Sequence, residues 1–130
     1  MILVAASVDQ LYPYIDKDQL NKEKVLQSWP GPTTWVLPAA EGVSHYLKGV
    51  HAGIAVRVTK HPLASLLCRS FHGPIVSTSA NPEGKPPALS GSGVRRYFGD
   101  KVDLVIEGQL GELDRPTPIY DGVSGKRLRA

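Results

Sequence analysis

Glycine and proline recur so often along this chain that neither a long helix nor a long strand can form. There are 13 Gly and 11 Pro in 130 residues. Proline lacks the backbone N–H that a helix or an inner strand needs, and glycine gains most from conformations that regular elements exclude. Between these breaks lie brief β-branched runs and short helical patterns, which read as a mixed α/β domain. The length and the 42% apolar content suit one domain over 1–130, large enough to bury a core without staples.

Several classes are excluded or disfavoured early. Cys68 is the only cysteine, so no internal disulfide can form, a cysteine-rich zinc site is ruled out, and a reducing cytoplasm is the expected location. No window approaches the roughly 18 apolar residues of a membrane span, and no basic stretch leads into an apolar run as in a secretory signal. The expectation is a soluble, cytoplasmic protein with no membrane contact. Fifteen Lys and Arg against 12 Asp and Glu leave a formal charge of +3, which permits contact with a polyanion without requiring it.

The expected elements are short. Met1 leads straight into an apolar strand, Ile2 to Ala5. A helix capped by Ser7 follows, with Leu11 and Tyr14 inward, and a second runs from after Asp16 to Trp29 on an imperfect stripe of Leu20, Val25 and Trp29. Pro30-Gly31-Pro32 stops it, and Thr33 to Leu37 is strand-like. Gly53 to Thr59 is the clearest strand. After Pro62, Leu63 to Phe71 is helical with Leu63, Leu66, Leu67 and Cys68 on one side. Pro74 to Thr78 is a strand, Asn81 to Gly93 is mostly loop, and Val94 to Phe98 is a helix. Leu104 to Glu107, Thr117 to Tyr120 and Arg127 to Arg129 are expected as further short strands.

Two places can carry chemistry. Alternation in the clearest strand puts Ile54, Val56 and Val58 on one face and Ala55, Arg57 and Thr59 on the other. Arg57 therefore stands among small neighbours, where its planar guanidinium can grip an anion with two parallel hydrogen bonds or pair with a carboxylate on a solvated face. The strand from Pro74 ends in Ser77-Thr78-Ser79-Ala80-Asn81. If it stays extended, Ser77, Ser79 and Asn81 point the same way and offer two hydroxyls and an amide to phosphate oxygens or an amino-acid head group. The same residues are also ordinary turn chemistry. No serine-hydrolase elbow, phosphate loop or dinucleotide fingerprint is present. The four histidines show no ligand spacing, so a metal site is not expected.

Taken together, Pro30-Gly31-Pro32-Thr33-Thr34, the strand Ala55 to Val58 followed by His61-Pro62, and Ser77 to Asn81 with Gly84 resemble the YrdC-like family of threonylcarbamoyl-AMP synthases. Phe98-Gly99, Pro116-Thr117-Pro118-Ile119 and Leu128-Arg129 extend the likeness to the end of the chain. The resemblance implies a twisted open mixed sheet with flanking helices and a concave, positive face. It implies a nucleotidyltransferase that makes L-threonylcarbamoyladenylate and pyrophosphate from L-threonine, bicarbonate and ATP, with Mg²⁺ accompanying the ATP. The product feeds threonylcarbamoyladenosine modification of tRNA through a separate transferase machinery. Arg57, Ser77 and Thr117 would then hold threonine, with Arg57 and Ser77 closest to the chemistry, and Ser79, Asn81 and Arg129 would hold ATP near the Gly53 backbone and Pro87. The alternative within the same family is a non-catalytic module that binds nucleotide, tRNA or double-stranded RNA on the basic face.

Members of the family carry, ahead of the matched part, a Pro-Thr-x-x-x-Tyr-Gly-Leu segment and a Lys-x-Arg pair that contact threonine and the triphosphate. This sequence contains neither. The resemblance thus implies a domain that is N-terminally incomplete, with its first strands missing and Met1 at an internal position, and little synthase activity is expected of this form.

Overall fold

The β-branched and apolar runs between the breaks become strands that pair into one sheet. The computed structural model describes residues 1–19, 22–48, 53–110 and 117–129. Contacts divide the chain into two compact units, Met1–Ser77 with Leu113–Ala130, and Thr78–Glu112.

The first unit holds the strands β1 (Ile2–Ala5), β2 (Thr34–Pro38), β3 (Gly53–Val58), β4 (Ile75–Ser77), β5 (Ile119–Asp121) and β6 (Arg127–Arg129). Among the described residues they form a sheet of order β4-β1-β3-β2-β5-β6. The pairs β1–β3 and β2–β5 are parallel, and β1–β4, β2–β3 and β5–β6 are antiparallel. This is the mixed sheet with flanking helices that the family resemblance implies. Because side chains alternate, the register fixes which residues share a face. Leu3, Ala5, Trp35, Leu37, Ile54, Val56 and Val58 face one way and pack with Leu11, Ile15 and Val25 into the core. Trp35 and Tyr120, paired across β2 and β5, add a ring contact at 5.3 Å between centroids.

The opposite face carries the polar residues. Val4 pairs with both Ile75 and Arg57, Thr34 with Ile119, and Ile119 with Arg129. Trp35 pairs with Val56, so the next step of that register sets Thr34 beside Arg57. One row therefore crosses the sheet as Ile75, Val4, Arg57, Thr34, Ile119 and Arg129. Ser77, paired with Ile2, lies two residues along from it.

Local structure departs from the sequence reading in several places. The expected helix after Ser7 is two 3₁₀ turns, Val8–Gln10 and Tyr12–Tyr14. Ser7 makes no side-chain cap; Gln10 Oε1 takes the Ala6 amide instead, and Pro13 has no N–H with which to continue a helix. The second helix shrinks to a 3₁₀ turn, Lys17–Gln19, and α1 (Lys22–Gln27), with Trp29 beyond its end and Leu20 outside the described residues. Thr59 lies one residue past the end of β3 and is buried, its Oγ1 accepting from the His61 amide and its own amide donating to the Ala5 carbonyl, so its hydroxyl is used within the protein. In α2 (Pro62–Phe71), His61 caps the N-terminus through Nδ1, Cys68 is buried, and Leu66 is exposed.

The second unit contains α3 (Gly91–Phe98), capped by Ser90 Oγ accepting from Gly93 N at 3.0 Å, and a 3₁₀ turn, Gly99–Lys101. The expected strand from Leu104 to Glu107 is irregular, with Leu104 and Ile106 exposed. Its apolar letters find no neighbour to bury them, and β propensity without burial does not make a strand. No helix among the described residues is long and apolar enough to cross a membrane.

Candidate functional site

In the first unit, β3 presents Arg57 on the face opposite the core. Its guanidinium is half-buried, and its Nε is a buried donor without a partner. No carboxylate among the described residues lies within ion-pair distance of it. Burial lowers the Arg57 pKa from its ordinary value, opposed by the charge interaction with Cys68. An arginine nonetheless keeps its proton through the neutral range. The result is a fixed positive charge that has lost water and gained no carboxylate partner among the described residues, and a buried donor left unpaired costs about 1–3 kcal/mol. An oxyanion placed there would recover that cost.

Cys68 supports this corner from α2. Its Sγ lies 3.4 Å from the Val4 carbonyl, under the pair that Val4 makes with Arg57. Burial pushes the thiol pKa up, while a backbone hydrogen bond from Ile75 and the charge of Arg57 pull it down.

Ser77 ends β4 two strand spacings across and two residues along from Arg57, a separation of about 12 Å between backbones. Between the two, on the same face, stand Val4 and Ile2, with Ala55 level with Ser77, so the floor there is apolar and in part small.

Arg129 lies three strand spacings, about 14 Å, on the other side of Arg57. Its Nε and Nη2 donate to the Thr117 carbonyl at 3.3 and 2.8 Å. The Thr117 hydroxyl is 3.0 Å from that of Thr34, which is fully buried. Arg57, Ser77, Thr117 and Arg129 thus belong to one unit and are linked to one face of one sheet.

Gly53 belongs to this unit too, and here the structure gives glycine a packing reason. A Cβ at Gly53 would stand 2.6 Å from Val36 Cγ1.

The remaining candidates lie in the second unit. Regular pairing stops at Ser77, and the chain bends at Ala80-Asn81, so the run does not stay extended as far as Asn81. Asn81 Nδ2 donates to the Pro82 carbonyl at 3.1 Å, which leaves Oδ1 buried without a donor. Ser79 is exposed. Pro87 is exposed and lines a cavity of about 270 Å³ with Ser90, Arg96 and Tyr97. Tyr97 is fixed as a wall of it, its hydroxyl donating to the Pro86 carbonyl at 2.8 Å.

Thr34 is the residue of this site that sequence reasoning overlooked. It was visible only as part of the Pro-Gly-Pro bend. The available signal was a polar side chain opening a strand whose next residue, Trp35, has to face the core.

A mixed α/β sheet that leaves an arginine without a carboxylate partner among the described residues, beside a hydrogen-bonded threonine pair, has the chemistry to hold a small oxyanion. Comparison with known proteins narrows this. The model for the family of Sua5, YciO and YrdC, described as "Telomere recombination", matches residues 1–129. The chain belongs to that family. It is 49% identical over 130 residues to a threonylcarbamoyl-AMP synthase of Halorhodospira halophila, covering 99% of this chain and 68% of the relative. It is 46% identical over 129 residues to the enzyme of that name from Coxiella burnetii, covering 98% and 69%. Among solved structures it resembles P. abyssi Sua5 complexed with L-threonine, with a TM-score of 0.82 and 31% identity. That match covers 92% of this chain, which spans only 36% of the Sua5 chain.

Proposed function

We propose that this chain carries the threonine and nucleotide sites of a threonylcarbamoyl-AMP synthase. The observation that carries the reading is Arg57, a half-buried guanidinium with an orphaned Nε and no acidic partner among the described residues. A carboxylate satisfies it in the fork geometry that arginine prefers. Threonine supplies that carboxylate, and Ser77 and Thr117 supply hydroxyls for its polar groups.

The reaction follows from the reactants. The threonine amine and bicarbonate give a carbamate with loss of water. A carbamate oxygen then bonds to the α-phosphorus of ATP, the bond from that phosphorus to the bridging oxygen breaks, and pyrophosphate leaves. The attacking oxygen is already anionic, so no dedicated general base is required. The protein's part is to align the two reactants and to place positive charge on the phosphates. Arg129 is suited to the phosphates because it does not lose its proton. In the second unit, the orphaned Asn81 Oδ1 is an acceptor and suits a ribose hydroxyl or the adenine amino group, since phosphates offer nothing to donate. Within that unit, Ser79 and the Pro87 cavity are proposed as nucleotide contacts in their own right.

No group of three His, Cys, Asp or Glu side chains that could hold a metal ion is present among the described residues. A Mg²⁺ accompanying ATP needs no such group, since it is held largely by substrate phosphates and water.

The test is calorimetric titration of the chain with L-threonine and with ATP, alongside an assay of pyrophosphate release. Binding of both is the expected result; pyrophosphate release from this form should be small, and what occurs should need threonine and bicarbonate together. Absence of threonine binding, with a salt-sensitive shift of double-stranded RNA instead, would replace this reading by that of an RNA-binding module.

A further inference from the structure

We infer that Thr34 is a positioning residue for threonine, acting through Thr117; the inference rests on the threonine site proposed above. Thr34 opens β2 with no exposed surface. A hydroxyl taken out of water there has to find a partner inside the protein. That partner is the Thr117 hydroxyl at 3.0 Å. The Thr34 amide also donates to the Pro118 carbonyl at 3.0 Å, and Arg129 holds the Thr117 carbonyl. Thr117 is thus fastened at its side chain, at its carbonyl and through the residue that follows it.

Each hydroxyl has one proton to give. When Thr34 donates to Thr117 Oγ1, the Thr117 proton is freed to point away from the sheet interior, toward an acceptor such as a carboxylate oxygen. In the sheet row Thr34 is next to Arg57, so the two donors that a carboxylate would use stand on one support. Without the Thr34 hydroxyl, Thr117 keeps its place in the chain but loses the contact that fixes its rotamer and proton direction. Of the nucleotide candidates only Arg129 touches this chain of contacts, and it does so at the Thr117 carbonyl rather than at the hydroxyl pair, so removing the Thr34 hydroxyl leaves that grip in place and the effect falls on threonine.

The test uses the full chain and separate calorimetric titrations with L-threonine and ATP. Thr34→Val keeps the shape and removes the hydroxyl. It should raise the Kd for threonine about tenfold, the size expected for one neutral hydrogen bond, and leave that for ATP within about twofold. Thr34→Ser, which keeps the hydroxyl, should bind threonine nearly as the unaltered chain does. Thr117→Val should show the same loss as Thr34→Val, and the double variant no further loss. Unchanged threonine affinity in Thr34→Val, equal loss of ATP, or additive losses in the double variant would each overturn the inference. If Thr34→Val does not fold, Thr34→Ser and Thr117→Val decide: weak threonine binding by the first, or full binding by the second, overturns it. An unaltered chain that binds no threonine removes the site itself. Tight binding that ignores Thr34→Val removes this inference and leaves the site standing.

Discussion

Arg129 grips the backbone of Thr117, its Nε and Nη2 both reaching the same carbonyl oxygen at 3.3 and 2.8 Å. Two of its donors are therefore spent on the protein, and what remains for a ligand is the outer edge of the fork. This ties the residue assigned to ATP to a residue assigned to threonine. Arg129→Ala should weaken ATP binding and also raise the threonine Kd, by about three- to tenfold, since a net hydrogen bond is worth about 0.5–1.5 kcal/mol. Arg129→Lys keeps the charge without the fork and should recover ATP binding more than threonine binding. Titrations of both variants with both ligands check this.

Arg57 should show the opposite preference. Two charge-assisted hydrogen bonds to a carboxylate are each worth about 1.5–3 kcal/mol, so Arg57→Ala should weaken threonine binding about a hundredfold or more. ATP binding should change less than about threefold. Equal losses of both ligands would show that the two sites are not divided as proposed.

How far the residues could be read in advance depended on how local their reasons were. In β3 the alternation of buried Ile54, Val56 and Val58 with Ala55 and Arg57 is a period-two pattern within six residues, and it was legible directly. The helix after Pro62 was legible too, because its apolar residues recur at helical spacing within ten residues, whereas the cap that His61 Nδ1 supplies is visible only in the structure. Thr34 was not, since the group that explains it is 83 residues away, and only the β2–β5 pairing brings it there. Thr59 shows the same limit: alternation names a face for it, but that its hydroxyl is buried and accepts from the His61 amide depends on the turn into α2. The run at Leu104 had strand-like letters, and no strand among the described residues pairs with it.

Gly53 offers a direct separation of packing from ligand binding. A methyl group added there meets Val36 Cγ1 at 2.6 Å, and valine cannot swing away because its β-branch fixes χ1. Gly53→Ala should destabilise the fold by about 1–3 kcal/mol, the usual cost of overpacking. Val36→Ala in the same chain should restore much of it, because the colliding methyl is gone. Urea titrations of the two single variants and the double variant check this. If the double variant is as unstable as the sum of the singles, the collision is not the cause.

Asp121 fixes the turn that brings β6 back to β5. Its Oδ1 accepts from the amides of Val123 at 2.8 Å and Ser124 at 2.9 Å, and these bonds, Ser124 first, lower its pKa against a smaller opposing effect of burial. A carboxylate with a folded pKa below its unfolded value stabilises the fold above the unfolded pKa, near 3.9, and loses that contribution as pH falls through the folded one. Asp121→Asn should therefore lower the Tm modestly at pH 7, and the difference from the unaltered chain should shrink below about pH 4. A difference that stays constant from pH 7 to pH 3 would mean that charge is not what the turn uses.

Cys68 gives the complementary alkaline limb. The thiol is fully buried against the Val4 carbonyl, and burial, the largest influence on it, raises its pKa. In the unfolded chain it ionises near pH 8.5, so above that pH unfolding releases a proton that the folded state retains, and stability falls as pH rises. Urea titrations at pH 7 and at about pH 9.5 should show this loss, and Cys68→Ala should remove part of it while lowering stability at both pH values through the lost packing. A disulfide reagent should leave the folded chain unlabelled and react fully in denaturant, because the reactive form is an exposed thiolate. Rapid labelling of the folded chain would show that α2 opens readily, and the support it gives beneath Arg57 would have to be sought elsewhere.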